Sequence, residues 1–400
     1  MTANETIDEA LTALQGLAPV YSAYGYDRLD NHCPMMVEAM VTLGRPDAVM
    51  PWVEEAVRDH PLAPPPVQPI GDAWREALGE GDRFGDWQML FGDELEQHDW
   101  SVVVGKWVPR FLTGMASAGA HGVIRLAHAV RNLSGGDTEI RIGEIADGLA
   151  NWAAHYYELR GAPRRAGSLR PSEAIELVDF APSAPGTTGS RFRDLERFPA
   201  FDGVGNLVEM DENSDAFLND LIATFAKAYI ASMGINPEGS TGLVHAVTVP
   251  AAVQLLLPYL RAEDRVLACL NAWHTSAAVY ATYGSATRGV HLEEYALDWD
   301  DLTDRAVTLG NAHAVKFVEA CKRASQTQGE VVFPAAAKRA VEIYEAATPI
   351  DPSTRPSYCW RISAVMCGGR LGGGSGFCVC VTALPSRVSL DDHRRTGARP

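Results

Sequence analysis

The sequence predicts a mainly α-helical protein: a multi-helix single body with a long irregular connection and an irregular C-terminal tail. Three observations carry this reading. Apolar residues recur at three- and four-residue steps through most of residues 1–350, and alternating strand patterns are rare. The stretch 161–207 is instead rich in Pro, Gly, Ser and Arg, which marks a long connection, a linker or a lid over a site. From residue 351 to 400 no helical period remains, and Gly368-Gly369-Arg370-Leu371-Gly372-Gly373-Gly374 is low complexity. The division expected is therefore a helical domain over 1–350 and a tail over 351–400.

The elements follow in order. A helix over 32–44 lines Met36, Met40 and Leu43 on one face and is stopped by Gly44-Arg45-Pro46. Asp47 is placed to cap the next, which carries Val49, Trp52, Val53 and Val57. A helix over 100–115 presents Trp100, Val103, Trp107 and Phe111. An Ala-rich helical segment then runs from Met115 to Val130, ended by Asn132 and Ser134-Gly135-Gly136. A long amphipathic helix over 211–233 carries Phe217, Leu221, Phe225 and Tyr229. Further helical patterns cover 240–260, 263–284, 311–326 and 332–347.

Composition narrows the function. The chain has 400 residues, 46% hydrophobic and 21% charged, a globular balance. With 34 Lys+Arg against 51 Asp+Glu, its net charge of -17 repels phosphate backbones and anionic lipid. No nucleic-acid or membrane partner is expected. No uninterrupted apolar run reaches about 18 residues, and the start, Met1-Thr2-Ala3-Asn4-Glu5, lacks the basic opening of a secretory signal. The seven cysteines form no pair of CxxC elements, which suggests a reducing, cytoplasmic setting. The oligomeric state is not set by the sequence.

Standard catalytic signatures are missing. There is no HExxH and no GxSxG, no His has Glu three residues before it, and no GxGxxG joins a strand to a helix. What remains is a set of histidines embedded in apolar helical segments. His32 opens an apolar helix, His121 and His128 lie two turns apart with Arg125 between them, and His245 and His274 sit among Val, Ala and Trp. His313 and Lys316, three apart, share a face. A lone histidine on such a helix is more often a hydrogen-bonded core residue, and a lone lysine more often snorkels to the surface. Several of them meeting in one interior would make a metal site, since neutral imidazole suits iron, zinc or copper.

Four segments in order resemble the questin oxidase-like family: Asn31-His32-Cys33-Pro34-Met35 with Glu38-Ala39, Ala120-His121-Gly122-Val123-Ile124-Arg125, Val244-His245-Ala246-Val247-Thr248, and His313-Ala314-Val315-Lys316-Phe317 with Glu319-Ala320-Cys321. The resemblance covers about residues 5–348 and takes in Baeyer–Villiger-type and anthraquinone ring-opening oxygenases. It implies Fe(2+) held by four histidines and a carboxylated lysine, here His32, His121, His245, His313 and Lys316, with O2 as co-substrate. The substrate implied is a small aromatic polyketide-like ketone or quinone. Arg125, His128 and His274 are further candidate catalytic residues, although Arg125 stands where relatives commonly carry a histidine and His128 where they often carry an aromatic, which places His128 behind the metal or in the substrate pocket. Trp107, Trp273 and Tyr280 are candidates to stack on a flat substrate, although such residues are more often plain core aromatics. Two alternatives stand beside this reading: a metal-independent Baeyer–Villiger oxidase assisted by NADPH, and a non-catalytic helical ligand-binding or scaffold protein.

Overall fold

A computed structural model describes residues 2–23, 26–184, 186–210, 213–234, 236–285 and 298–347. Sixteen α-helices and many short 3-10 turns make up most of these residues. Among the described residues the one sheet is an antiparallel ribbon of Val20–Ala23 and Tyr26–Asp30. The described residues belong to one compact unit. The glycine-rich segment and the rest of the expected tail, 351–400, lie outside them.

Four helices position the site: Cys33–Thr42, His121–Asn132, His245–Leu256 and Ala312–Gln328. They pack in a ring, each against two of the others. Their sequences explain this. Cys33–Thr42 buries eight of its ten residues and His121–Asn132 buries nearly all of its twelve, so neither has a solvated face to turn outward. Phe84–Gln97 and Glu139–Ala154 close one side behind His121–Asn132. Glycine permits the close approach there. A Cβ on Gly122 would lie 2.8 Å from the Trp152 ring, and one on Gly148 would lie 3.1 Å from the Leu126 backbone. Ser214–Met233, Ala262–Tyr283 and Val332–Ala347 cover the other side. The helical stretch Ser240–Tyr259 is long and apolar enough on average to cross a membrane, and 89% of its 18-residue apolar window is buried in the protein.

Three expectations are corrected. Asp47 does not cap Val49–Ala56; it lies in a 3-10 turn, Pro46–Ala48, that leads into that helix. The Ala-rich segment is not one helix from Met115. Ala118, Gly119 and Ala120 all take left-handed backbone angles, φ 52°, 62° and 75°, and the helix begins only at His121. The 161–207 connection is not irregular throughout. It holds the short helices Pro171–Ala174 and Thr188–Asp194 and several 3-10 turns, and it buries Phe192, Leu195, Phe201 and Val204 in the core.

Candidate metal centre

Each of the four ring helices presents a histidine at its N-terminus. His32 is the cap of Cys33–Thr42, His121 and His245 are the first residues of their helices, and His313 is the second of Ala312–Gln328. Two local devices orient them, each used twice. Asn31 Oδ1 accepts the Cys33 N–H at 2.9 Å, and Asn311 Oδ1 accepts the His313 N–H at 2.9 Å, so an asparagine two residues upstream fixes the chain at both turns. His121 Nδ1 lies 2.7 Å from the Ala118 carbonyl, and His245 Nδ1 lies 2.9 Å from the Gly242 carbonyl, each three residues upstream. A carbonyl only accepts, so both Nδ1 atoms carry a proton, and in a neutral ring Nε2 is then the atom free to bind a cation.

These four side chains meet. Ring centroids are 4.5 Å apart for His32 and His121, 4.5 Å for His32 and His313, 4.8 Å for His121 and His245, and 5.2 Å for His245 and His313. One nitrogen from each of His32, His121 and His313 lies within 4.8 Å of the others. His245 Nε2 stands 3.2 Å from His121 Nε2. Lys316 reaches the same place, its Nζ 3.4 Å from His32 Nδ1 and 3.8 Å from the Met35 sulfur. None of the five is more than 5% exposed. Lys316 therefore does not snorkel.

Burial sets the electrostatics. It holds His32, His245 and His313 neutral, well below the usual imidazole range, and the Lys316 ammonium adds repulsion. Burial likewise pulls Lys316 down to about 7, with Asp30 opposing. His313 Nδ1 is buried with no hydrogen-bond partner. An orphaned nitrogen, a facing pair of Nε2 atoms and an amine poised for neutrality fit a cation with nitrogen and oxygen donors.

Behind the histidines a buried ionic chain links the same four helices. Glu38 accepts from His128 Nδ1 at 2.5 Å and from Arg131, which also binds Glu319. Arg323 binds Glu319 at 3.1 Å and the Ala251 carbonyl at 3.0 Å. Burial alone would raise the Glu38 and Glu319 carboxyls, but Arg131 and its neighbours hold both below the usual range.

The remaining candidates have other partners. Arg125 is buried in an ion pair with Glu144 at 2.7 and 2.9 Å, with Asp147 at 3.2 Å, tying its helix to Glu139–Ala154. His128 belongs to the ionic chain. His274 stacks on Phe201, centroids 5.2 Å apart, under the 161–207 connection, and burial lowers it to about 4. Trp107 sits in an aromatic cluster with Trp74, Phe91 and Phe111. Trp273 donates to the Val204 carbonyl at 2.8 Å, and Tyr280 packs on Phe180 and Phe225. None of these three aromatics lines the cavity next to the histidines, and all three are buried in the core.

That cavity, of about 380 Å³, is walled by Asp30, Ala118 and Gly119 on the histidine side, by Tyr156 and Tyr157, and by the Gly186–Arg193 part of the 161–207 connection. Asp30 Oδ2 lies 3.2 Å from His121 Nδ1, so one wall of the cavity abuts the cluster. The sequence reasoning missed Asp30, Tyr156 and Tyr157. The only signal was the position of Asp30 two residues before His32.

A family model described as questin oxidase-like matches residues 29–321, a span holding all five clustered side chains. No curated protein matches the chain. With well over half of its length matched, the chain belongs to the questin oxidase-like family.

Proposed function

We propose that the protein is a non-haem iron oxygenase that uses dioxygen on a planar polycyclic ketone or quinone, with His32, His121, His245, His313 and a carboxylated Lys316 holding the metal. Family membership supplies the coarser part, an oxygenase acting on anthraquinone-type substrates. The finer part rests on one observation: His121 Nε2 and His245 Nε2 stand 3.2 Å apart in the buried interior while the Nδ1 of each is held by a backbone carbonyl. Two neutral imidazoles so held set lone pair against lone pair, which a cation between or beside them relieves.

Lys316 supports the same reading. A neutral amine can attack carbon dioxide. The nitrogen–carbon bond forms, one carbon–oxygen electron pair moves onto oxygen, and the amine proton leaves to solvent. The product is an anionic carbamate one helical turn from His313. Four helix N-termini point their positive ends at this spot, which disfavours a bare cation and favours an added anion. The carbamate would offset that field. Bound Fe(II) would supply electrons to dioxygen and polarise the substrate carbonyl. The chain does the rest: asparagine-anchored turns fix the imidazoles, the buried ionic chain fixes the helices, and Tyr156 with Tyr157 offers flat walls to a flat substrate.

The test is elemental analysis of the purified protein together with two variants. Wild type should carry about one iron per chain. His313→Ala should keep its helical circular dichroism and lose the metal. Lys316→Met should bind iron at least about tenfold more weakly, and added bicarbonate should raise loading of wild type but not of this variant. A wild-type protein that is metal-free and active in excess chelator would overturn the reading.

A further inference from the structure

The cavity beside the histidines has an aromatic wall and a polar edge. Gly119 on its histidine side is buried, Tyr156 and Tyr157 are half-buried, and Ser190 and Arg193 are exposed, so it opens to solvent along the helix Thr188–Asp194. That helix has two faces. Thr188, Arg191 and Phe192 are buried against the core. Thr187, Ser190 and Arg193, spaced three apart, line the cavity. The two hydroxyls are occupied locally: Thr187 Oγ1 accepts the Ser190 N–H at 3.3 Å, and Ser190 Oγ donates to the Thr187 carbonyl at 2.8 Å. The guanidinium is not. It lies over the face of Tyr157, its carbon 5.7 Å from the ring centre. The acids nearest to it in sequence are taken, since Asp194 pairs with Arg191 and Glu196 accepts the Tyr157 hydroxyl at 2.9 Å. Among the described residues Arg193 has no carboxylate partner, and no other Lys or Arg lines the cavity.

We propose that Arg193 is a specificity-determining residue: it receives a carboxylate carried by the substrate, so that the cavity selects planar aromatic acids, with the rings against Tyr156 and Tyr157 and the acid group on the solvent side. The inference rests on the reading above that this cavity receives a flat polycyclic substrate, and it names the group that substrate carries at its outer end. A guanidinium presents its N–H donors in one plane and matches the two oxygens of a carboxylate. Packed on the Tyr157 face, it keeps its edge free to donate and gives up part of its rotamer freedom before any ligand arrives. An exposed ion pair is usually weak because two long side chains must be held still. Here a ring holds one partner, and a rigid aromatic frame carries the other. Asp30, the one carboxylate in the lining, stands on the histidine side, so the acid group of a ligand belongs at the opposite, exposed edge.

The experiment is a binding titration of the full-length protein at neutral pH with anthraquinone-2-carboxylate and with the neutral carboxamide of the same shape. Wild type should bind the acid at least about fivefold more tightly than the amide. Arg193→Gln should bring the two affinities to within about twofold, by weakening the acid and leaving the amide where it was. Arg193→Glu should reverse the order, because it sets like charge against like. Arg193 is exposed, so neither change disturbs the core, and an unmoved amide affinity reports an intact cavity. Equal affinities on wild type would overturn the proposal, as would a preference for the acid that survives in both variants. A wild type that binds neither probe would instead bring down the aromatic-substrate reading itself, and this inference with it.

Discussion

His245 and His121 face each other Nε2 to Nε2 at 3.2 Å, each with its other nitrogen committed to a backbone carbonyl one turn back. They come from positions 124 residues apart, so the fold spends core volume on a contact that repels in the neutral state. A bound cation turns it into an attraction. Metal removal should therefore lower stability. At a free metal level a hundredfold above its Kd the bound ion contributes about 2.7 kcal/mol. Scanning calorimetry with and without chelator should show a lower Tm in the chelated protein and recovery on adding back Fe(II). His245→Phe, which fills the space but donates nothing, should abolish the metal-dependent shift. Identical melting with and without metal would refute this.

The metal-free protein should also lose stability as pH falls. Burial depresses His32, His245 and His313 well below their ordinary 6.5. In the unfolded chain they take up protons near that pH, while in the folded chain they do not. The unfolded state then binds more protons, so stability rises with pH through this region and falls as the solution is acidified below about 6.5. Lys316, lowered to about 7 from 10.5, acts in the same sense over the range between those two values. Denaturant midpoints of the chelated protein, measured from pH 8 down to pH 5, should decline steadily. A flat profile would contradict the burial of neutral imidazoles.

Much of this was legible in the sequence, for identifiable reasons. Helix periodicity placed Ala312–Gln328 and Val332–Ala347 to within about two residues, because both have clear starts and apolar stripes. The histidines stood out because imidazole is unusual amid Val and Ala. Nothing in the alphabet shows that four distant helix starts face one point, and the resemblance was needed to group them. Trp107 and Tyr280 could be named but not assigned, because a core aromatic and a substrate-stacking aromatic have the same spacing. The ion pairs of Arg125 and His128 were not legible because their acidic partners, Glu144 and Glu38, lie 19 and 90 residues away. The cavity wall was invisible because it depends on the left-handed turn at Ala118–Ala120, whose residues carry no turn signature apart from one glycine.

That turn yields its own prediction. Ala118 holds φ 52° and Ala120 holds φ 75°, conformations that cost an L-residue roughly 1–2 kcal/mol each. The turn aims the Ala118 carbonyl at His121 Nδ1. A β-branched residue tolerates this backbone far less well. Ala118→Val should therefore cost about 2 kcal/mol and weaken iron binding, while Ala118→Gly should stay within about 1 kcal/mol of wild type, strain relief offsetting greater freedom of the unfolded chain. Urea denaturation and elemental analysis of the two variants check both halves. Equal stability for Val and Gly would show that the turn is not strained in solution.

The ionic chain behind the histidines makes the strongest stability prediction. Arg131 bridges Glu38 on Cys33–Thr42 and Glu319 on Ala312–Gln328, two carboxylates that are 3% and 4% exposed. Removing the guanidinium leaves two buried carboxylates near one another, Glu38 with only His128 and Glu319 with only Arg323 to oppose its charge. Breaking one side of such a pair typically costs about 3–5 kcal/mol, mostly from the stranded charge rather than the lost contact. Arg131→Met should fall in that range. Adding Glu38→Gln and Glu319→Gln to it should recover a large part of the loss, since neutral amides no longer repel. If the link serves to hold the ligand helices in register, the triple variant should regain its Tm and still load iron poorly, because amides meeting a thioether do not fix the helix spacing as the fork of Arg131 does. Full recovery of both stability and metal content would reduce Arg131 to a packing residue.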